Sequence, residues 1–394
     1  MTNPASLPQI LETLKRSPLS QLSLCSKELF HSNFLAWLCN NYEEAGRATF
    51  GEFVTLNSGD KIRRVDREKK NIDLWLKFSG GQELVIENKV KSIPTATQLE
   101  EYSEKEGKIQ TSFLLLSLSR PIFLNSSEMV YVDTNGHRWH YLSYGTLAER
   151  LRGVLQNGNG APVAGSYHRE LIEDYITYID ALDQLHEHFS LDNDPSDCFF
   201  GRDIVPKDLE ESRFYHGVVK MRHAQLAGML AENLRGHGFE IVTDPSKFWA
   251  GNSGYVLTTS GMTRATGLVD FKFPLFDKDH TAGPLILGVQ LKGRHFRLVV
   301  ECHRKSAREA AKQFKAGTTA QHSWFDFNHL NLPCLDSEYP VGDGFNKYGE
   351  VFLYRSKKLG RNISATAIVD AFTKYAMLAR DNADSLRARV MTLA

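Results

Sequence analysis

Residues 71–90, NIDLWLKFSGGQELVIENKV, hold two apolar runs, 72–78 and 83–89, on either side of Ser79-Gly80-Gly81. Two such runs about a Gly-rich turn predict a hairpin, and apolar residues at nearly every position mark strands buried on both faces of a sheet. A sheet of that kind needs a layer of helices on each side, which restricts the fold more than any other stretch of the chain. The same hairpin carries Asp73, Glu87 and Lys89, charges that a two-sided core strand should exclude.

The flanking segments supply the layers. SKELFHSNFLAWLC (26–39) sets Leu29, Phe30, Phe34, Leu35, Trp37 and Leu38 at helical spacing, with Ser26 as cap. A strand is expected near FGEFVTL, then a charged stretch DKIRRVDREKK, the hairpin, a break at Pro94 and a polar helix TATQLEEYSEKEG. TSFLLLSLS (111–119) reads as a buried strand, MVYVDTNGHRWHYLSY (129–144) as a hairpin about Asn135-Gly136, and GTLAERLRGVLQ and residues 167–189 as helices. The pattern predicts an α/β/α layer with a mixed central sheet in residues 1–190. A linker is expected at 191–200, where SLDNDPSD is the most linker-like stretch. Residues 201–394 then read as an α+β domain: a helix over FYHGVVKMRHAQLAGMLAENLRGHG, the strands FEIV, GYVLTT, TGLVDFKFPLF, LILGVQLK and FRLVVECH in a mostly antiparallel sheet, and helices at KSAREAAKQFKAG and ATAIVDAFTKYAMLARDN with the strand EVFLYRS between them.

Charge and cysteine content narrow the classes. Forty-seven basic residues balance forty-seven acidic ones in 394, so contact with a polyanion must come from a local patch. The five cysteines are scattered and form no CxxC pair, which argues for reduced thiols over a disulfide framework or a zinc site. No stretch approaches the about 18 consecutive apolar residues of a membrane span, and the first twenty lack a basic region followed by an apolar one. The expectation is a cytoplasmic protein.

In a hairpin, Glu87 and Lys89 share one face of the second strand because side chains alternate, and the first strand can set Asp73 beside them. Two carboxylates converging at a strand end suit a hard cation such as Mg²⁺, and a lysine there can orient a nucleophile or neutralise charge on a phosphate. An ordinary cross-strand ion pair would be worth only about 0.2–1 kcal/mol and would not call for two acids against one lysine.

Asp73 followed on the next strand by Glu87-Asn88-Lys89 resembles the D…(E/D)xK signature of the PD-(D/E)XK nuclease superfamily. The preceding helix, KELFHSNFLAWL, offers Glu28 where several branches supply a glutamate, and Gln98 and Tyr102 match the Gln-x-x-x-Tyr of the following helix. The resemblance spans roughly residues 20–155. Ile72 stands where the family name has proline, and Asn88 where an apolar residue is usual; Asn88 should point to the opposite face and leave the metal face intact.

The resemblance implies a restriction-endonuclease-like core and a nuclease using Mg²⁺ or Mn²⁺. It implies Asp73 and Glu87 as metal ligands with the Asn88 carbonyl, Lys89 positioning water, and Gln98 and Glu28 completing the site. It further implies hydrolysis leaving a 5′-phosphate, DNA as substrate, and a bacterial role in defence or repair. Tyr102 is expected in core packing and His31 in a structural role. Arg63, Arg64, Arg67, Lys69, Lys70 and Lys91 flank the metal strand and are the candidates for gripping nucleic acid. The second half is expected to recognise a trigger, a nucleic-acid feature, or a partner or second copy of the chain. Asp270 with Gln290-Leu291-Lys292 faintly echoes the first motif, and Arg304, Lys305, Arg308, Lys312 and Lys315 give one helix a basic face. Two other classes fit the same residues: a catalytically inactive nucleic-acid-binding or regulatory protein on this fold, and a hydrolase of small phosphodiesters.

Overall fold

The computed structural model describes residues 5–22, 28–108, 110–124, 128–158, 160–191, 194–196, 198–200, 209, 214–248, 255–264, 266–277, 280, 284–302, 324–330, 332–338, 341, 344–349 and 351–391. The chain divides into two compact units, Met1–Ser190 with Val205–Met221, and Leu191–Ile204 with Arg222–Ala394.

The first unit runs α1 (Leu7–Arg16), α2 (Pro18–Leu22), α3 (Glu28–Asn41), α4 (Glu43–Phe50), β1 (Ile62–Lys69), β2 (Ile72–Phe78), β3 (Glu83–Lys89), α5 (Ala96–Glu106), β4 (Thr111–Ser117), β5 (Val130–Val132), β6 (Arg138–Ser143), α6 (Tyr144–Asn157) and α7 (Tyr167–Phe189). Its six strands form a mixed sheet in the order β1-β2-β3-β4-β6-β5. The β1-β2-β3 meander is antiparallel, β4 and β6 join parallel to β3, and β5 closes the far edge antiparallel. The parallel step from β3 to β4 follows from the intervening helix: a crossover returns the chain in the same direction. On one face Trp75, Val85, Phe113, Leu115 and Trp139 form a core with Leu99 of α5. On the other, α3 packs on β1, β2 and β3, and α6 on β6.

Two local expectations are corrected. FGEFVTL is no strand: the chain leaves α4 through a short 3-10 turn, Gly51–Phe53, and the apolar Phe53 and Val54 serve as buried plugs. The charged stretch that follows is itself a strand, β1. It pairs with β2 alone, and an edge strand with one solvated side accommodates Arg63, Arg64 and Arg67 without burying them. The β1–β2 turn places Lys70 (φ 57) and Asn71 (φ 66) in the left-handed region, as a two-residue hairpin of matching twist requires.

The second unit holds β7 (Glu240–Val242), β8 (Tyr255–Thr263), β9 (Thr266–Phe276), β10 (Leu285–Lys292), β11 (His295–Cys302), β12 (Asn346–Tyr348) and β13 (Phe352–Lys358) in one sheet, ordered β12-β13-β11-β10-β9-β8-β7. All neighbours are antiparallel except β7 and β8. One face buries Val269, Phe271, Leu287, Val289, Phe296 and Leu298 against the helix Ala365–Asp381, where Phe372 and Tyr375 ring the Phe296 side chain. The helix expected over KSAREAAKQFKAG, with its basic residues, lies outside the described residues. Among those described, no helix is long and apolar enough to cross a membrane.

Candidate active site

The site forms where the β2–β3 ladder ends. The strands pair from Lys77↔Glu83 to Leu74↔Ile86 and no further. Two residues past Ile86, the Asn88 amide donates to the Asp73 side chain, Oδ2, at 2.8 Å instead of to a backbone carbonyl. A carboxylate inserted in place of a ladder bond keeps the strands apart and fixes the Asp73 side chain at their mouth. The amide and carbonyl of one strand residue leave the backbone on the same side. The Asn88 carbonyl therefore faces the same gap.

Alternation puts Val85, Glu87 and Lys89 on the face covered by α5. Glu87 is 2% exposed, and its Oε1 lies 2.5 Å from Lys89 Nζ and accepts from Gln98 Nε2 at 3.0 Å. Its other oxygen, Oε2, is buried and has no hydrogen-bond partner. Gln98 reaches Glu87 because α5 starts at a fixed point: Pro94 breaks the chain, Thr95 caps the helix by accepting the Gln98 amide, and Gln98 falls on the first turn. Its Nε2 also donates to the Tyr102 hydroxyl at 3.1 Å, so Tyr102, whose ring packs on the Trp75–Val85 core, ties that core to the site.

Glu28, at the start of α3, lies against the chain just beyond Lys89. Its Oε1 accepts from the Val90 amide at 3.2 Å, from the Ser92 amide at 3.1 Å and from the Ser92 hydroxyl. On the reverse face Asn88 is fully engaged: Nδ2 donates to the Glu28 carbonyl (3.0 Å) and Ser32 Oγ (3.2 Å), and Oδ1 accepts from the Tyr144 hydroxyl at 2.5 Å. The polar residue at this apolar-facing position is thus a strut between β3, α3 and α6. His31 is buried in the same layer with Nδ1 3.1 Å from the Tyr175 hydroxyl, and burial pushes its pKa down to about 3, so it stays neutral.

Crowded acids resist ionising. Burial, then the neighbouring Asp73 charge, pushes Glu87 up to about 8. Burial also raises Asp73 to about 6, assisted by the Glu28 and Glu68 charges and opposed by the Asn88 amide and Lys89. Two carboxylates held at such cost beside one lysine, one of them with an orphaned oxygen, fit a divalent cation: hard oxygen donors with positive charge missing. Among the described residues no group of three or more His, Cys, Asp and Glu side chains is gathered for a metal, so a cation here would have only the Asp73–Glu87 pair and the adjoining main chain to hold it.

The basic residues divide. Arg63 and Arg67 lie exposed on β1; Arg64 pairs with Asp66 at 2.6 Å; Lys69 and Lys70 lie over the Trp75 ring, and Lys70 pairs with Glu106 at 2.8 Å. Lys91 is half-buried just past the site. Sequence reasoning missed Ser92, which fastens Glu28, and Tyr144, which fastens Asn88. The second lies 56 positions from its partner, and no local pattern marks such a pair.

Residues 19–169 match the family model of the PD-(D/E)XK nuclease superfamily, a span that contains every residue of this site. No curated protein and no solved structure matches the chain.

Proposed function

We propose that this chain, whose residues 19–169 match the family model of the PD-(D/E)XK nuclease superfamily, is a divalent-metal-dependent nuclease that hydrolyses DNA phosphodiester bonds. The observation that carries the reading is the buried Glu87 Oε2, without a partner, beside Asp73 at the open end of the β2–β3 ladder. Asp73, Glu87 and the Asn88 carbonyl would hold Mg²⁺ or Mn²⁺. The ion, when bound, supplies Lewis-acid polarisation of the phosphodiester and offsets its charge. Lys89 orients the attacking water and neutralises charge developing on the phosphate, while its contact with Glu87 holds the ammonium in place. Gln98 fixes the Glu87 carboxylate, and Glu28 acts as a positioning residue by pinning the backbone beyond Lys89. Arg63, Arg64, Arg67, Lys69, Lys70 and Lys91 contribute phosphate contacts. Hydrolysis leaves a 5′-phosphate, and a role in cytoplasmic defence against foreign DNA or in repair suits the activity.

The test is incubation of wild-type protein and Lys89→Ala with supercoiled plasmid, linear duplex, and single-stranded DNA and RNA, each with Mg²⁺, Mn²⁺ or EDTA. Cleavage that EDTA and Lys89→Ala both abolish supports the proposal, and the substrates cut identify its mode. Absence of cleavage together with absence of Mn²⁺ binding that depends on Asp73 and Glu87 would overturn it.

A further inference from the structure

The sheet of the second unit has two unlike faces. One is the apolar core already described. The strand registers put Glu240 on the other face at the β7 edge, and over β9, β10, β11 and β13 they place Lys272, Lys292, Arg297 and Lys358 there against two acids, Asp270 and Glu301. Both acids are engaged within the sheet: Gln290 Nε2 donates to Asp270 Oδ1 at 2.8 Å, and Lys272 Nζ lies 2.7 Å from Glu301 Oε2. In a chain of zero net charge this leaves a local positive excess.

Aromatic rings are set into that excess. Tyr348 and Tyr354 stack with centroids 5.6 Å apart and planes 19° from parallel, and Tyr348 is 50% exposed. Lys292 Nζ lies 5.6 Å from the Tyr348 ring centre, and the Arg297 guanidinium 4.4 Å from that of Tyr354. Arg297 is 8% exposed; its Nη1 donates to Gln290 Oε1 at 2.8 Å, while its Nε is buried without a partner. Asp270, Gln290 and Arg297 thus form a buttress that holds the guanidinium rigidly beside the tyrosine pair. The titrating groups report the same field. Arg297 and Lys292 hold the Tyr348 hydroxyl below its ordinary range although burial opposes them, and burial, then Arg297 and Lys358, lowers His295.

We propose that this face binds single-stranded nucleic acid, with an unpaired base stacked on Tyr348 and neighbouring phosphates on Lys292, Arg297 and Lys358. Stacked aromatics beside cations suit a strand whose bases are free, whereas a duplex offers such a face only its backbone. The inference goes beyond the nuclease reading, because every residue of the platform belongs to the unit that lacks Asp73 and Glu87.

The experiment uses the full chain in EDTA, with fluorescently labelled single-stranded DNA and RNA oligonucleotides read by anisotropy across a salt titration. Wild type is expected to bind, and Tyr348→Ala to weaken binding by about tenfold while Tyr348→Phe, which keeps the ring, does not. Lys292→Glu should reduce the salt slope by about one, the signature of one lost phosphate contact. Failure of wild type to bind either strand would overturn the proposal. So would unchanged affinity and slope in Tyr348→Ala and Lys292→Glu, each melting where wild type melts. Metal-dependent cleavage measured on the same preparations separates the two readings. Cleavage without platform-dependent binding sinks only this inference, and platform binding without cleavage or Mn²⁺ uptake sinks only the nuclease.

Discussion

Both units contain an acid on one strand of a hairpin and an acid or amide two residues before a lysine on the next: Asp73 with Glu87 and Lys89, Asp270 with Gln290 and Lys292. In the second unit the ladder runs unbroken through Gln290↔Asp270 to Lys292↔Leu268, and the Gln290 amide satisfies Asp270 directly. In the first, the ladder stops at Leu74↔Ile86, Asp73 takes the Asn88 amide, and Glu87 keeps an unpartnered oxygen. The same residue pattern therefore yields a closed hydrogen-bond network in one place and a buried carboxylate with an unpartnered oxygen in the other. What separates them is an interrupted pair of strands and a carboxylate where the other has a carboxamide, which brings its own donor.

The sharpest way to break the comparison is to remove the lysine that has only the first arrangement to serve. Lys89→Ala should lower the cleavage rate by about a hundredfold or more, measured as initial rates on plasmid. The next effect is on stability. With folded values near 8 for Glu87 and 6 for Asp73 against ordinary values of 4.5 and 3.8, the native state keeps protons that the unfolded chain has released. Stability without metal should therefore fall as pH rises through that window and level off above it, by on the order of a few kcal/mol. Glu87→Gln should remove most of the fall in melts between about pH 5 and pH 9 in EDTA, and should also remove the Mn²⁺ stabilisation that the proposed function expects of wild type. A Glu87→Gln melt with the same pH slope as wild type would show that the site is not under that charge strain.

Gln290→Glu completes the motif in the second unit. If the pattern sufficed, a second Mn²⁺ would bind; because the ladder there leaves no gap, calorimetric titration is expected to show unchanged stoichiometry and the melt a loss of about 1–3 kcal/mol from the lost donor. Tyr144→Phe tests the strut behind the first site. It strips the buried Asn88 Oδ1 of its donor, with an expected loss of about 1–3 kcal/mol in denaturant unfolding. The smallest effect belongs to the edge strand: Arg63→Glu with Arg64→Glu should weaken DNA binding modestly and flatten its salt dependence, and an unchanged slope would remove β1 from the contact surface.

By itself the sequence determined the layered architecture and the facing of the charges. Two apolar runs about Ser79-Gly80-Gly81 make a hairpin, alternation puts Glu87 and Lys89 on one face and Asn88 on the other, and Pro94-Thr95 starts a helix whose first turn carries Gln98. These are local rules, acting over a few residues. β1 was illegible because an edge strand needs no apolar face, and FGEFVTL misled because strand-prone residues also fill gaps between helices. Tertiary structure alone decided that the ladder breaks at Asp73, that Asn88 is anchored by Ser32 and Tyr144, and that Asp270, Gln290 and Arg297 close on one another. Each depends on atoms brought together across long stretches of chain, where no periodicity reaches; which buried polar group finds a partner is settled only when the layers pack.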